Sequence, residues 1–137
     1  MGNYLKRCEE LRADTTRHYG CSQAVFIPFA EAMGMDTETA YHLSAHFRAG
    51  MLQGEVCGAI TGALMALGLA EADSKNAAAL LNKVKANHEN MLDCRDLLKK
   101  WHSAGHSDRK PHCDGMCFEC VRLVEELLEK ENAGQEG

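Results

Sequence analysis

Small and apolar residues recur along this chain at helical rather than strand spacing. From Asn3 to about His18, Leu5, Cys8, Leu11 and Thr15 form one stripe, and Gly20 stands where a C-terminal cap is expected. Cys21 to Met33 carries Ala24, Val25, Phe29, Ala32 and Met33 on one side. Pro28 predicts a bend inside it and Gly34 a stop. Asp36 or Thr37 can cap a helix running to about Phe47, without a capping box because Ala40 stands where a glutamate is needed. Glu55 to Leu69 reads as the next helix.

Lys75 to about Trp101 places Ala78, Leu81, Val84, His88, Met91, Leu92 and Leu98 at near-helical spacing, as one long helix or two broken around Leu92 to Cys94. Ser103 to Asp114 (SAGHSDRKPHCD) reads as a loop. The last helix is expected from Cys117 to about Asn132, with Val121, Val124, Leu127 and Leu128 inward and Asp114 as an early cap. The tail at 133–137 should fray. No alternating stretch, internal repeat or linker interrupts this pattern. The expected fold is all-α, a compact bundle of five or six helices without a sheet, in a single helical domain over 1–137.

Two prolines and an aromatic share of 6% agree with helix over sheet. At 137 residues the chain can bury roughly two thirds of its unfolded surface, so a core forms without disulfides. A net charge of -5 with scattered basic residues lacks the positive face that a phosphate backbone demands, which excludes nucleic acid as a partner. The apolar run Val56 to Ala70 falls short of the roughly 20 residues needed to span a bilayer, so no membrane insertion is expected. The polar start MGNYLKRCEE offers no signal peptide, and a cytoplasmic location is expected.

Seven cysteines change the picture. An odd number in a reducing compartment argues against a full set of structural disulfides and turns attention to chemistry, although free cysteine also packs well as a small apolar residue. Cys113, Cys117 and Cys120 crowd into CDGMCFEC, and a thiolate near the start of the last helix would have its pKa lowered by the helix dipole. That makes Cys117 the expected exposed, reactive thiol. Val121 follows Cys120 where covalent haem attachment needs histidine, and no strand provides the setting of a thioredoxin-like dithiol.

His102, His106 and His112 flank the same segment, and His42 and His46 are one helical turn apart. Each alone reads as a solvated side chain, but nitrogen with sulfur also suits zinc. Cys21, Cys57, Cys94 and Cys117 are spread one per segment, so only the tertiary fold could gather them. Gly50, Gly54, Gly58 and Gly62 repeat every four residues and open a groove in which a neighbouring helix, or a cofactor, can approach the backbone.

These motifs resemble a known family. CSQAV at 21–25, the G-M-x-x-G-E-V-C-G-A-x-x-G run from Gly50 to Gly62, CRDLL at 94–98 and CFECVR at 117–122 are similar, in order and spacing, to the redox-active C-GCAxxG-C-C family. The resemblance carries the family's four cysteines onto Cys21, Cys57, Cys94 and Cys117, with Gly58 and Gly62 beside them as cofactor-binding positions. The chain is also similar to the N-terminal region of split-Soret cytochromes, whose cysteines are associated with an iron-sulfur centre, but lacks their haem-attachment motifs. Cys8, Cys113 and Cys120 are additional to the four, and Cys113, Cys120 and His112 are further ligand candidates.

What the resemblance implies is a redox-active site of four convergent cysteines, in the first place binding an iron-sulfur cluster for electron transfer or redox sensing. Two alternatives stay open: a metal-free dithiol/disulfide protein with Cys117 as the low-pKa thiol, and a structural zinc module of Cys113, Cys117, Cys120 and His112 or His106. No nucleophile, base and oxyanion arrangement can be assembled, which points to a redox carrier or accessory protein with an unnamed redox partner rather than a self-contained enzyme. Glycine-lined faces also join subunits, so a homodimer is compatible. The geometric expectation is that Cys57 lies near at least two of Cys21, Cys94 and Cys117.

Overall fold

The computed structural model describes residues 3–136, of which 132–136 only as the continuation of the last helix; where the tail is expected to fray from 133 the helix runs to Glu136, and Gly137 lies outside the described residues. Seven helices follow one another rather than five or six: α1 (Tyr4–Ala13), α2 (Cys21–Ala32), α3 (Thr37–Ser44), α4 (Gly58–Leu69), α5 (Ser74–Asn87), α6 (Cys94–Ser103) and α7 (Lys110–Glu136). The only β geometry among the described residues is one antiparallel bridge between Val56 and Asp93. None of the described helices is long and apolar enough to cross a membrane.

α2 occupies the centre. Val25, Phe26, Ile27, Phe29 and Ala30 are all buried, so the helix has no solvent face, as expected of an element apolar all round. α1, α3, α4 and α7 pack around it, and the helix continues through Pro28 to Ala32. α4 lies on α2 through its small residues, while α7 closes the bundle with Cys117, Cys120, Val121 and Val124 buried.

Several boundaries differ from the sequence reading, each for a local reason. α1 stops at Ala13 because the Asp14 carboxylate accepts from the Thr16 and Arg17 amides and turns the chain away. Gly20 therefore does not close α1; it precedes α2, and its N–H donates to Gln23 Oε1 at 2.7 Å. α3, capped by Asp36 on Thr39, ends at Ser44, and a single tight turn covers Ala45–Phe47.

The segment before α4 departs most. The helix begins at Gly58 instead of Glu55, so Gly50 and Gly54 do not share its face and Cys57 is its cap residue. Ala49, Met51 and Leu52 take left-handed backbone with φ of 52°, 59° and 62°, joined by Gly50 at 65°. Such conformations cost roughly 1 kcal/mol or more for residues with a Cβ.

The stretch 75–101 breaks between His88 and Asp93, where Glu89 and Asn90 are left-handed and the chain returns to pair with residues 55–57. α7 starts seven residues before the expected Cys117. Pro111 accounts for this, because a proline in the first turn of a helix forfeits no intrahelical hydrogen bond. Asp114 is consequently inside α7, where it pairs with Arg12 at 2.6 Å instead of capping the helix.

Candidate functional site

Four cysteines sit at the starts of four different helices. Cys21 is the first residue of α2, Cys57 immediately precedes α4, Cys94 opens α6 and Cys113 lies in the first turn of α7. Two contacts bring the central three together. Residues 55–57 run antiparallel to 92–94, with the Cys57 N–H donating to Leu92 O at 2.9 Å and the Cys94 N–H to Glu55 O at 2.6 Å. α4 meanwhile approaches α2 so closely that a Cβ at Gly58 would stand 3.2 Å from Cys21 Cβ, and one at Gly62 only 2.6 Å from Ser22 O. The glycine face is thus filled by α2, and Gly58 and Gly62 position the cysteines.

The first turn of α2 is fixed by buried polar side chains. Ser22 donates to Ser44 O at 2.7 Å, and Gln23 accepts from Gly20 while donating to Tyr41 O at 3.1 Å. No buried side-chain nitrogen or oxygen among the described residues lacks a partner, so these groups anchor Cys21 without an unsatisfied group.

The thiols form a connected set, and all seven cysteines are free. Cys113 and Cys117 lie close enough to Cys21 for thiol–thiol hydrogen bonding to shift its titration. Cys117 in turn contacts Cys8 and donates to Cys21 O at 3.8 Å. The Arg109 guanidinium lies close to Cys113 and within electrostatic reach of Cys94 and Cys21. Spacings of four and three residues put Cys113, Cys117 and Cys120 on one face of α7. Cys113 is at the surface end of that face, while Cys117 and Cys120 are fully buried.

Burial governs the titration of these groups. It pushes the Cys57 thiol up to about 11, against the Ala59 and Ile60 amides that favour the thiolate. It also raises Cys94, opposed by Arg109, and holds Cys120 well above its ordinary value. The bond from Cys21 raises Cys113, with burial adding to it. For Cys21 the bond to Cys113 favours the thiolate, but the bond to Cys117 and burial outweigh it. For Cys117 the bond to Cys21 likewise favours the thiolate and is overcome by the bond to Cys8 and by burial. Cys117 is therefore not the exposed, low-pKa thiol that its place in the sequence predicts: it lies one turn too deep in α7 to feel the helix start.

Of the histidines, His18 shares a cavity wall with Cys21 and Cys113, and the histidines that are candidate zinc ligands have other surroundings. His42 and His46 are exposed. His106 stacks on Trp101 with ring centroids 3.7 Å apart, and His112 lies against the same indole at 5.6 Å. Burial lowers the pKa of His112. Among the described residues, no three Cys, His, Asp or Glu side chains are arranged to hold one metal ion.

Cys21 and Cys113 share the wall of a cavity of about 470 Å³ with Arg12, Arg48, Arg109 and Lys110. The arginines escaped the sequence reading, because Arg109 falls in a segment that looks like solvated loop. The available signal was its place four residues before Cys113, which α-helical geometry turns into contact, and the Cys113 N–H does donate to Arg109 O at 3.0 Å.

No curated protein and no solved structure matches the chain. A family model does, over residues 19–127, and it is described as "Putative redox-active protein (C_GCAxxG_C_C)". That span holds α2 through most of α7 and all of the cysteines except Cys8. By this match the chain belongs to the redox-active C_GCAxxG_C_C family.

Proposed function

We propose that the chain is a thiol–disulfide redox protein in which Cys21 is the thiol shared between two partners, Cys113 and Cys117. The observation that carries this reading is the placement of Cys21 between the two, sharing a cavity wall with Cys113 and accepting at its own carbonyl from Cys117 Sγ at 3.8 Å. A disulfide needs only two sulfurs brought to about 2.05 Å with suitable Cβ placement. On closure the two thiols release two protons and two electrons to an oxidant, and reduction reverses the step. Because burial keeps the thiols protonated, exchange accelerates as pH rises through the alkaline range.

Equilibration in thiol/disulfide buffers of graded potential, followed by peptide mapping, tests this. One two-electron transition yielding a Cys21-containing disulfide is expected. A redox titration unchanged in Cys21→Ser would overturn it.

A second reading rests on a different observation, the delivery of cysteines to one region by four helix starts, with Cys57 clasped to Cys94 through residues 55–57 and 92–94. A donor set made only of thiols fits an iron-sulfur cluster. Cys21, Cys57 and Cys94 would hold it together with Cys117, the family's fourth cysteine, or with Cys113, which stands nearer the helix starts. A cluster held there would supply one-electron transfer. Arg109 would then offset the negative charge of the thiolates, and the fully buried Cys120 and half-buried Phe118 would keep water from one side.

Anaerobically purified protein separates the readings. Iron and sulfide with visible absorbance lost in Cys57→Ser favour the cluster, and colourless protein with two-electron thiol chemistry favours the dithiol. Bound zinc retained in Cys57→Ser would favour a zinc module of Cys113, Cys117 and Cys120 with His112 or His106. The contact of both histidine rings with Trp101 weighs against it.

A further inference from the structure

The cavity beside Cys21 is strongly cationic on a chain whose net charge is -5. Arg12, Arg48, Arg109 and Lys110 line it, against Asp14 as the lone lining carboxylate. Asp14 is already engaged by the amides and hydroxyl of its own turn. Arg12 and Lys110 share one carboxylate, Asp114, at 2.6 and 2.9 Å. Arg48 donates to a backbone carbonyl, Ala45 O, and Arg109 faces thiols; among the described residues neither is within ion-pair distance of a carboxylate. Gly20 keeps this wall in place, since a Cβ there would stand 2.6 Å from Arg48 Cδ.

A cavity of about 470 Å³ is in the size range of small-molecule sites. Concentrated positive charge in a recess of low dielectric attracts and orients anions. Two thiols, Cys21 and Cys113, stand in the same wall and supply an attacking and a resolving sulfur.

We propose that this cavity binds a small disulfide carrying carboxylates at both ends and delivers it to Cys21 for reduction. The inference rests on the thiol–disulfide reading above. Cys21, the more accessible member of the pair, gives up its proton and attacks one substrate sulfur. The substrate S–S bond breaks, and one half leaves with the electron pair and takes a proton to become a thiol. Cys113 then attacks the Cys21 sulfur of the mixed disulfide, forming the Cys21–Cys113 disulfide and releasing the second half as a thiol. Two protein thiols are oxidised by two electrons, and one disulfide is reduced to two thiols.

Three disulfides of similar length but different charge test it: 3,3′-dithiodipropionate (dianion), bis(2-hydroxyethyl) disulfide (neutral) and cystamine (dication). Each single-turnover rate with the reduced full chain at pH 8 is divided by the rate of the same reagent with a small free thiol. The dianion is expected to lead the neutral reagent at least tenfold, with cystamine slowest. Added suberate, an isosteric dicarboxylate without sulfur, should suppress the lead. So should the combined Arg48→Gln and Arg109→Gln changes, with Arg48→Lys keeping most of it.

Equal normalised rates for the three reagents overturn the anion site while leaving the thiol–disulfide reading intact. A dianion lead that survives suberate does the same. No protein disulfide with any reagent overturns the reading beneath it. Should the double variant fail to fold, the charge order and suberate suppression in the unaltered chain decide the matter.

Discussion

Two cavities of nearly equal volume, about 470 and 460 Å³, flank the first turns of α7, and their walls have opposite chemistry. One is lined by Cys21, Cys113 and four cations. The other holds no cysteine among its lining residues; His88, Trp101, His106 and His112 form its aromatic wall, with the His88–Glu119 pair at 2.8 Å. The divide runs between adjacent residues, because one step along an α-helix turns the side chain by about 100°. Cys113 faces the thiols while His112 faces the indole, so neighbours in sequence serve different sites. Volume distinguishes nothing here; the excess of cations and the presence of thiols do.

The strongest way to break one side only is to separate α4 from α2. Gly62→Ala sets a Cβ 2.6 Å from the backbone oxygen of Ser22, which cannot yield as a flexible side chain would. Denaturant unfolding should show a loss of about 3 kcal/mol, the upper end for overpacking. The native emission of Trp101, the sole tryptophan, should stay unchanged because its surroundings come from α6 and α7.

Next in size is Arg12→Met. The Arg12 side chain is 9% exposed, bonds Asp114 at 2.6 Å and donates to Tyr19 O at 2.9 Å. Its removal leaves a half-buried carboxylate with Lys110 alone and should cost about 2 kcal/mol in the same assay. The counterpart His88→Gln, on the other side, removes a more accessible pair and should cost under about 1 kcal/mol.

A change of stability that spares both cavities is the needed control. α2 and α4 end in the same reciprocal pair of hydrogen bonds: Gly34 N to Glu31 O and Met35 N to Ala30 O in one, Glu71 N to Gly68 O and Ala72 N to Leu67 O in the other. Glycine takes the left-handed position in α2, whereas Glu71 takes it in α4 at φ 61°. Glu71→Gly should raise stability by about 1 kcal/mol with the disulfide reactivity unaltered.

The smallest effect compares one histidine from each wall. Burial lowers His18, with Arg12, Arg48 and Lys110 adding to it, and burial lowers His112 with His88, Arg109 and His102 adding. Both bind protons less readily in the folded chain, so their contribution to stability is complete above about pH 6.5 and shrinks as pH falls towards the folded values. Suberate should screen the cations around His18 and raise its midpoint by a few tenths of a pH unit, leaving His112 unmoved in an imidazole proton NMR titration. Equal shifts would erase the distinction between the walls.

What could be read from the sequence followed the range of the interaction responsible. Helical periodicity is local, so the all-helical fold and the cores of α2 and α7 were legible from Val25, Phe29, Val121 and Val124. The motif spacing also fixed the family. The start of α4 was not legible, because the clasp between residues 55–57 and 92–94 depends on a partner far along the chain and delays the helix from Glu55 to Gly58. Cys117 was misjudged for a related reason. Its supposed place at a helix start assumed a loop up to Asp114, and Pro111, which looks like a breaker, instead lies within the first turn of α7. The cationic cavity was invisible because Arg12, Arg48 and Arg109 come from three separate segments.

The order of the cysteines along the chain gives α7 a part in biosynthesis. Cys8 and Cys21 leave the ribosome early, whereas Cys113 and Cys117 follow some ninety residues later. At roughly 5–20 residues per second, that interval is on the order of 5–20 s. Throughout it the first turn of α2 lacks the helix that covers it in the finished fold. Docking of α7 then buries Cys117 and brings Cys113 to Cys21 in one event, so arrival of the last helix marks the moment at which the nascent chain acquires its paired sulfurs.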